Sequence, residues 1–408
     1  MLKASLKKWL FLFTIIIFNL LIALRTSLGF FYFFFFLLVA NLIVSFAWLA
    51  IEFFLSELHL VRYLPVQIEE DDYLEVEVRL KNKSFIPLFN FILADELPCA
   101  EPFLKRKLVL VSSLASHSYL NLKYKCLCPR RGKYRVGPFS LYLFDPWGIF
   151  FIKKTYRVCS ELYVYPRVFN IRRFPPLTKG NVPWFGIDTS RVSGDEHDFF
   201  GVREYKPGDP IKRIHWLSTA RKSSLIVKEF QQRAFFSASI IFGLQKDKNF
   251  GEGKQTVAEY TIKIAASIAN YLSQSGASLE LIARAGEMIH LPSNKGPEHL
   301  DDIFRALATA QPAATAGLGA VLDQYADFIP ANTTLISIML DEDWRYIPHL
   351  LAMEKRDISL IPVVLIASSF FHHSAGERVI KNAQFRFPRG SRFTPIFVSC
   401  GQDLQSTF

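Results

Sequence analysis

The densest chemistry in the 408-residue chain lies between Arg191 and Phe230, RVSGDEHDFFGVREYKPGDPIKRIHWLSTARKSSLIVKEF. Asp195, Glu196, His197 and Asp198 are consecutive, and with His215 they could offer oxygen and imidazole donors to a hard metal ion or form an acid/base set. The same stretch holds eight Lys or Arg against six Asp or Glu. A mixed-sign segment flanked by aromatics more often closes into a hydrogen-bonded ion-pair network. Arg203, Asp209, Arg213 and Arg221 are therefore expected to lock a β-turn-α-β unit, and the acidic run to be a solvated loop that partners arginines.

Other candidate chemistry is thinner. Five cysteines at 99, 126, 128, 159 and 400 have no regular spacing, which argues against a disulfide framework. Cys126 and Cys128 would share one face of a strand, but no further ligand is evident beside them. Reduced thiols in β structure are expected rather than a zinc site. His372-His373 sits in a late polar stretch and reads as surface. There is no phosphate-binding glycine loop, no G-x-S-x-G elbow and no H-E-x-x-H. The sequence thus points to no metal and no cofactor.

The elements that must position the Arg191–Phe230 residues can be read locally. Phe199 to Tyr205 reads as a strand, and Lys206-Pro-Gly-Asp-Pro210 as a turn. A helix is expected from Pro210 to about Arg221, with Asp209 as N-cap and Pro210 at its first position. Arg213, Trp216 and Ala220 would then share one face. Leu225 to Phe230 reads as the strand after it.

Upstream, Tyr73 to Leu80 alternates apolar and charged residues, the pattern of a strand with one buried face. Asn82-Lys-Ser comes next as a turn. Further short strands at 108–111, 119–126, 141–144 and 162–165 suggest a β-sandwich. A Pro-rich connector with Pro175, Pro176 and Pro183 separates this β part from the C-terminal half of the chain. From Ser237 onward strands and helices alternate: strands at 237–242, 278–282, 334–340 and 359–366, helices at 255–275, 298–309, 318–328 and 344–355. That order predicts a parallel sheet between helices.

At the N-terminus Trp9 to Leu24 is an uncharged run of 16 residues and Gly29 to Ile51 one of 23, with Phe33 to Phe36 inside the second. At ~1.5 Å rise per residue against a ~30 Å hydrocarbon layer, the second spans comfortably. The first needs its flanking Lys and Arg to snorkel. Lys3, Lys7 and Lys8 before the pair favour a cytoplasmic N-terminus and a tight two-helix hairpin. A signal peptide is the competing reading, but no small-residue cleavage site comes after the first run. The formal charge of +11 suits an anionic leaflet more than nucleic acid, for which no recognition motif is present.

The Arg191–Phe230 stretch closely resembles the bacterial membrane-protein family catalogued as "domain of unknown function 58". The residues that carry the resemblance are Gly194, Glu196, Phe199, Arg203, Tyr205, Gly208, Asp209, Arg213, Ile214, Trp216, Ala220, Arg221, Leu225, Val227 and Lys228. His215 departs from it, since an aspartate is common there. Upstream, Arg131-Gly-Lys-Tyr134, Gly137-Pro138, Asp145-Pro-Trp-Gly148 and Tyr165-Pro166 look like the family's β-domain motifs. The resemblance implies a C-terminal domain similar to von Willebrand factor type A and a gene often beside that of a MoxR-type AAA+ ATPase. Domains of that type commonly bind Mg²⁺ through D-x-S-x-S after their first strand. Here Ile241-Phe-Gly-Leu-Gln-Lys-Asp247 stands at that place, and Asp341 and Thr315 do not replace the missing groups, so no metal is expected there.

The resulting expectation is a membrane-anchored multidomain protein: a transmembrane hairpin over 1–56, an all-β sandwich over 57–168, a connector and signature segment over 169–236, and a von Willebrand factor A-like α/β domain over 237–408. It would be multi-pass in the bacterial inner membrane, with its soluble domains facing the cytoplasm. Its role would be a non-enzymatic scaffold recruiting protein partners, a MoxR-type ATPase among them. The signature residues, His215 included, would be structural or interacting. The alternatives are a hydrolase built on the Asp195–His215 region and a basic surface for anionic lipid or nucleic acid.

Overall fold

A computed structural model describes residues 2–26, 28–101, 103–175, 199–207, 209, 211–222, 224–230, 237–315, 317–325, 327–330, 333–356, 358–371 and 395–408. The chain divides into two compact units, Met1–Arg167 with Phe304–Thr309, and Val168–Ile303 with Ala310–Phe408.

The first unit begins with helices α1 (Leu2–Thr26) and α2 (Gly29–Leu55). α2 is long and apolar enough to cross a membrane, with mean hydropathy 2.4 over its best window, whereas Leu10–Thr26 is a shorter apolar helix. The apolar run was expected to stop at Ile51; the helix continues through Glu52 to Leu55. Glu52 is buried there and its carboxylate accepts the Phe89 amide at 3.3 Å.

Ten strands come next, in three sheets. β1 (Leu58–Tyr63), β3 (Tyr73–Asn82) and β6 (Tyr119–Leu127) form one; β2 (Gln67–Glu69), β7 (Gly132–Val136) and β10 (Ser160–Tyr165) form the second. β4 (Leu88–Glu96), β5 (Arg106–Leu114), β8 (Phe139–Phe144) and β9 (Phe151–Tyr156) form the third. The charge alternation of β3 places Leu74, Val76, Val78 and Leu80 in the core, against Phe91, Leu93, Phe139 and Leu141. Asn82 closes the expected turn: its side-chain carbonyl accepts the Ser84 amide at 3.0 Å and its side-chain amide donates to Ile86 O at 2.9 Å. The Asp145-Pro-Trp-Gly148 motif is a loop tied by Asp145, which accepts the Phe150 and Trp147 amides at 2.7 and 3.2 Å and the Ser45 hydroxyl of α2 at 3.0 Å.

The second unit starts with a hairpin, β11 (Phe199–Glu204) and β12 (Ile226–Phe230), that brackets the helix α3 (Trp216–Lys222). A mixed, mostly parallel sheet comes after it. β13 (Ser237–Gly243) leads to the short hairpin β14 (Gly251–Glu252) and β15 (Gln255–Thr256), then to β16 (Ser278–Ala285) and β17 (Glu287–Asn294). β18 (Thr334–Leu340), β19 (Ser359–Leu365) and β20 (Ile396–Val398) complete the sheet, in the order β17-β16-β13-β18-β19-β20. β17 alone runs antiparallel, to β16. It was not anticipated, because five of its eight residues are exposed and its apolar ones form no alternating pattern. β18 is buried at every position, as a strand covered on both faces must be. Between the strands lie α4 (Val257–Gln274), α5 (Pro297–Thr309), α6 (Leu318–Tyr325) and α7 (Ile347–Glu354). α4 opens on a capping box: Thr256 Oγ1 accepts the Glu259 amide at 3.3 Å.

Candidate interaction site

The signature segment does not contain the single helix expected over 210–221. A short 3-10 turn, Ile211–Arg213, ends where Ile214 bridges to Val227 and the His215 amide donates to Ile226 O at 2.7 Å. These backbone bonds pull residues 214–215 into extended register with β12. α3 therefore starts afresh at Trp216, so Arg213 and Trp216 occupy separate elements rather than one helical face. Burial of Ile214, Ile226 and Val227 favours this arrangement over a continuous helix, which would have no partner for the Ile226 carbonyl.

Asp209 is not the cap of a helix. Its carboxylate receives the Arg203 guanidinium as a fork, at 2.7 and 2.8 Å, and the Lys206 amide at 2.8 Å. The Arg203 hydrogen bonds, then the Lys206 amide, hold its carboxyl at about 2, below the ordinary carboxylate range. Of the four residues expected to lock the unit, Arg203 and Asp209 are the ones the structure pairs among the described residues. Arg221 and Ala220 are exposed on α3, and Tyr205 donates its amide to Leu225 O at 2.8 Å. Lys228 lies on β12, paired with Val202 of β11. Gly194, Glu196 and Gly208, like Asp195, His197, Asp198 and Pro210, lie outside the described residues; Phe199 and Arg213 are placed by backbone alone.

His215 caps α3. Its Nδ1 accepts the Ser218 amide at 3.2 Å and lies 2.7 Å from Ser218 Oγ, while its carbonyl takes the Ser218 and Thr219 amides at 3.0 Å. An aspartate could make the same contact with a carboxylate oxygen. In this tautomer Nδ1 is an acceptor and the proton sits on Nε2. The geometry gives His215 a job in the fold that a catalytic role would have to interrupt.

The outward face of the unit is of another kind. Ile211, Trp216 and Leu217 are 71%, 65% and 64% exposed. Lys212, Arg221 and Lys222 are exposed beside them in sequence. Large apolar side chains left in water, with basic residues close in sequence, have the composition of a protein–protein contact.

The end of β13, where the sequence resemblance would put a Mg²⁺ motif, carries an ion pair. Lys248 Nζ lies 2.5 Å from Asp343 Oδ1, and Asp343 Oδ2 accepts the Leu340 amide at 3.3 Å. Burial works against the Lys248 charge, but Asp343 outweighs it and raises the ammonium's pKa. Asp341 accepts the Ala367 amide at 2.9 Å, and the Thr315 carbonyl accepts the Gln245 side chain at 3.4 Å. A lysine ammonium against the buried Asp343 carboxylate does not fit a hard divalent cation there.

A third cysteine completes a cluster that spacing did not disclose. Cys99, in the turn after β4, lies with Cys126 and Cys128 so that all three sulfurs fall within 4.8 Å of one another. The expectation that nothing else stands beside the C-x-C pair is corrected. Cys99 is distant in sequence, and only the packing of the β4–β5 turn under β6 brings it in.

A family model described as "Protein of unknown function DUF58" matches residues 201–366, from the signature hairpin to the end of β19. Over 251 residues the chain is 26% identical to the uncharacterised Bacillus subtilis protein YeaD, covering 60% of each chain. An uncharacterised Mycobacterium tuberculosis protein is 28% identical over 117 residues, 28% of this chain and 37% of its own. The matched region thus spans less than two thirds of either relative. Among solved structures, a CARDB domain from Pyrococcus furiosus aligns with 27% of this chain and 94% of its own at 16% identity; its TM-score of 0.20 is too low to bear on the fold.

Proposed function

We propose that this protein is a membrane-anchored, non-enzymatic scaffold whose signature module presents an apolar-basic face to a protein partner. The observation that carries this reading is a division of labour within one short segment. Among the described residues Arg203 is bound to Asp209 and His215 to the Ser218 amide, whereas Ile211, Trp216 and Leu217 are left in water beside the exposed Lys212, Arg221 and Lys222. Tryptophan surrounded by basic residues is a frequent anchor of protein contacts.

In this reading α1 and α2 cross the bacterial inner membrane as a hairpin and leave the rest of the chain in the cytoplasm. The lysines in the first two turns of α1 and the length of α2 support that topology. The mostly parallel sheet of the second unit serves as a von Willebrand factor A-like interaction domain without its metal, the Lys248–Asp343 pair standing in that place. The partner is a MoxR-type AAA+ ATPase, a choice that rests on the resemblance carried by the Arg203–Lys228 residues. Affinity capture of the full chain from detergent-extracted membranes tests the reading. The ATPase should be recovered with the wild type and lost with Trp216→Asp at unchanged expression. A purified protein that turns over a substrate alone, and retains no partner, would contradict it.

A further inference from the structure

Outside the signature module, the first unit holds a set of groups that the scaffold reading does not use. Cys99, Cys126 and Cys128 are 2%, 7% and 0% exposed, and their sulfurs lie within 4.8 Å of one another in the core. Metal–sulfur bonds of about 2.3 Å in a trigonal site place three sulfurs about 4 Å apart, so the site needs adjustments of less than an ångström. Among the described residues no histidine or carboxylate joins the cluster. Burial also leaves little access for water as a fourth ligand. Three soft donors in a dry pocket match a metal that accepts three-coordination and prefers sulfur. A tetrahedral cation would be one ligand short.

We propose that Cys99, Cys126 and Cys128 form a trigonal thiolate site for Cu(I). No redox step is involved: Cu(I) binds the three sulfurs and three thiol protons leave to solvent. The Cys126 thiol donates to Leu127 O at 3.6 Å and the Cys128 thiol to Cys126 O at 4.0 Å, weak bonds that metal coordination would replace. Cys126, the most exposed of the three, is the first ligand an incoming ion would meet. The β6 strand that carries Cys126 pairs with β3 through Leu74, which fixes the C-x-C end of the site. Cys99 comes from the β4–β5 turn, so occupancy would cross-link two of the three sheets.

The test is a titration of the reduced full-length chain in detergent with Cu(I) held by bicinchoninate. The wild type should withdraw a single Cu(I) and develop near-ultraviolet thiolate-to-copper absorption. Cys99→Ser, Cys126→Ser and Cys128→Ser should each abolish the transfer, while Cys159→Ser and Cys400→Ser should not change it. X-ray absorption of the loaded wild type provides a readout independent of how the variants fold: a shell of three sulfurs with no nitrogen or oxygen neighbour is expected. No transfer to the wild type, transfer that survives Cys99→Ser, a fourth light-atom ligand, or displacement of Cu(I) by equimolar Zn(II) would each overturn the proposal.

Discussion

Two arginine–aspartate pairs, one in each unit, use the same ion chemistry in opposite surroundings. In the β-rich unit Arg62 is fully buried, bound to Asp95, to the Val136 and Val158 carbonyls at 2.9 and 3.2 Å, and stacked over Phe139 at 4.1 Å. Tyr124 donates to the same carboxylate. Burial raises the Asp95 carboxyl pKa in spite of the arginine. In the signature hairpin Arg203 is a quarter exposed, and its fork drives the Asp209 carboxyl down to about 2. Desolvation decides the first case and hydrogen bonding the second. The buried pair specifies how three sheets pack, since its members reach β1, β4, β6 and the ends of β7 and β9. The part-buried pair specifies one turn of its module.

The comparison is broken most severely at Asp95. Asp95→Ala strands the Arg62 charge in the core and should cost about 3–5 kcal/mol. Denaturant unfolding of the full chain in detergent, monitored by near-ultraviolet circular dichroism, reads this; a loss no greater than that of Asp209→Ala would refute the contrast. Next in size is the cap. His215→Ala should cost about 1 kcal/mol, whereas His215→Asp should keep or slightly raise stability, because a carboxylate both accepts the Ser218 amide and faces the positive end of α3. If the aspartate variant is as weak as the alanine one, capping is not what His215 does.

The pH dependence sharpens the same contrast with a sign. The folded pKa of Asp209 lies below its ordinary value of 3.8. The stability it contributes is therefore whole at neutral pH and lost as pH falls below about 4 toward 2. The melting-temperature difference between wild type and Asp209→Asn should shrink over that window. Asp95 is raised, so its folded form holds its proton more readily than the unfolded chain, and it adds no loss of this kind on acidification. The smallest stability effect is expected for Trp216→Ala, within about 0.5 kcal/mol, since the side chain is mostly in water.

Much of the fold was legible where one physical signal dominated. The alternation of β3, the mostly apolar run of β18 and the amphipathic α4 each give a single dominant pattern. What was not legible depended on partners distant in sequence. The break at Ile214-His215 is set by β12 and cannot be read from a run that otherwise favours helix. β17 exists because β16 offers an edge, not because its own residues ask to be a strand. In the site, the presence of an ion-pair network was legible from the mixed charges, but its reduction to one Arg203–Asp209 fork, with Asp209 not a helix cap, was not; nor was the exposure of Trp216 and Leu217, since an apolar residue in a short helix is ordinarily taken to face inward. Cys99 was hidden for the same reason as β17.

The central claim, that the signature module is an outward-facing contact surface, is tested most directly by a photo-crosslinking amino acid placed at position 216 in the full chain within intact membranes. Irradiation should yield one discrete protein adduct that is absent when the probe replaces buried Ile226. Mass spectrometry should identify an AAA+ ATPase in that adduct. No adduct from position 216, or one no stronger than from position 226, would contradict the account.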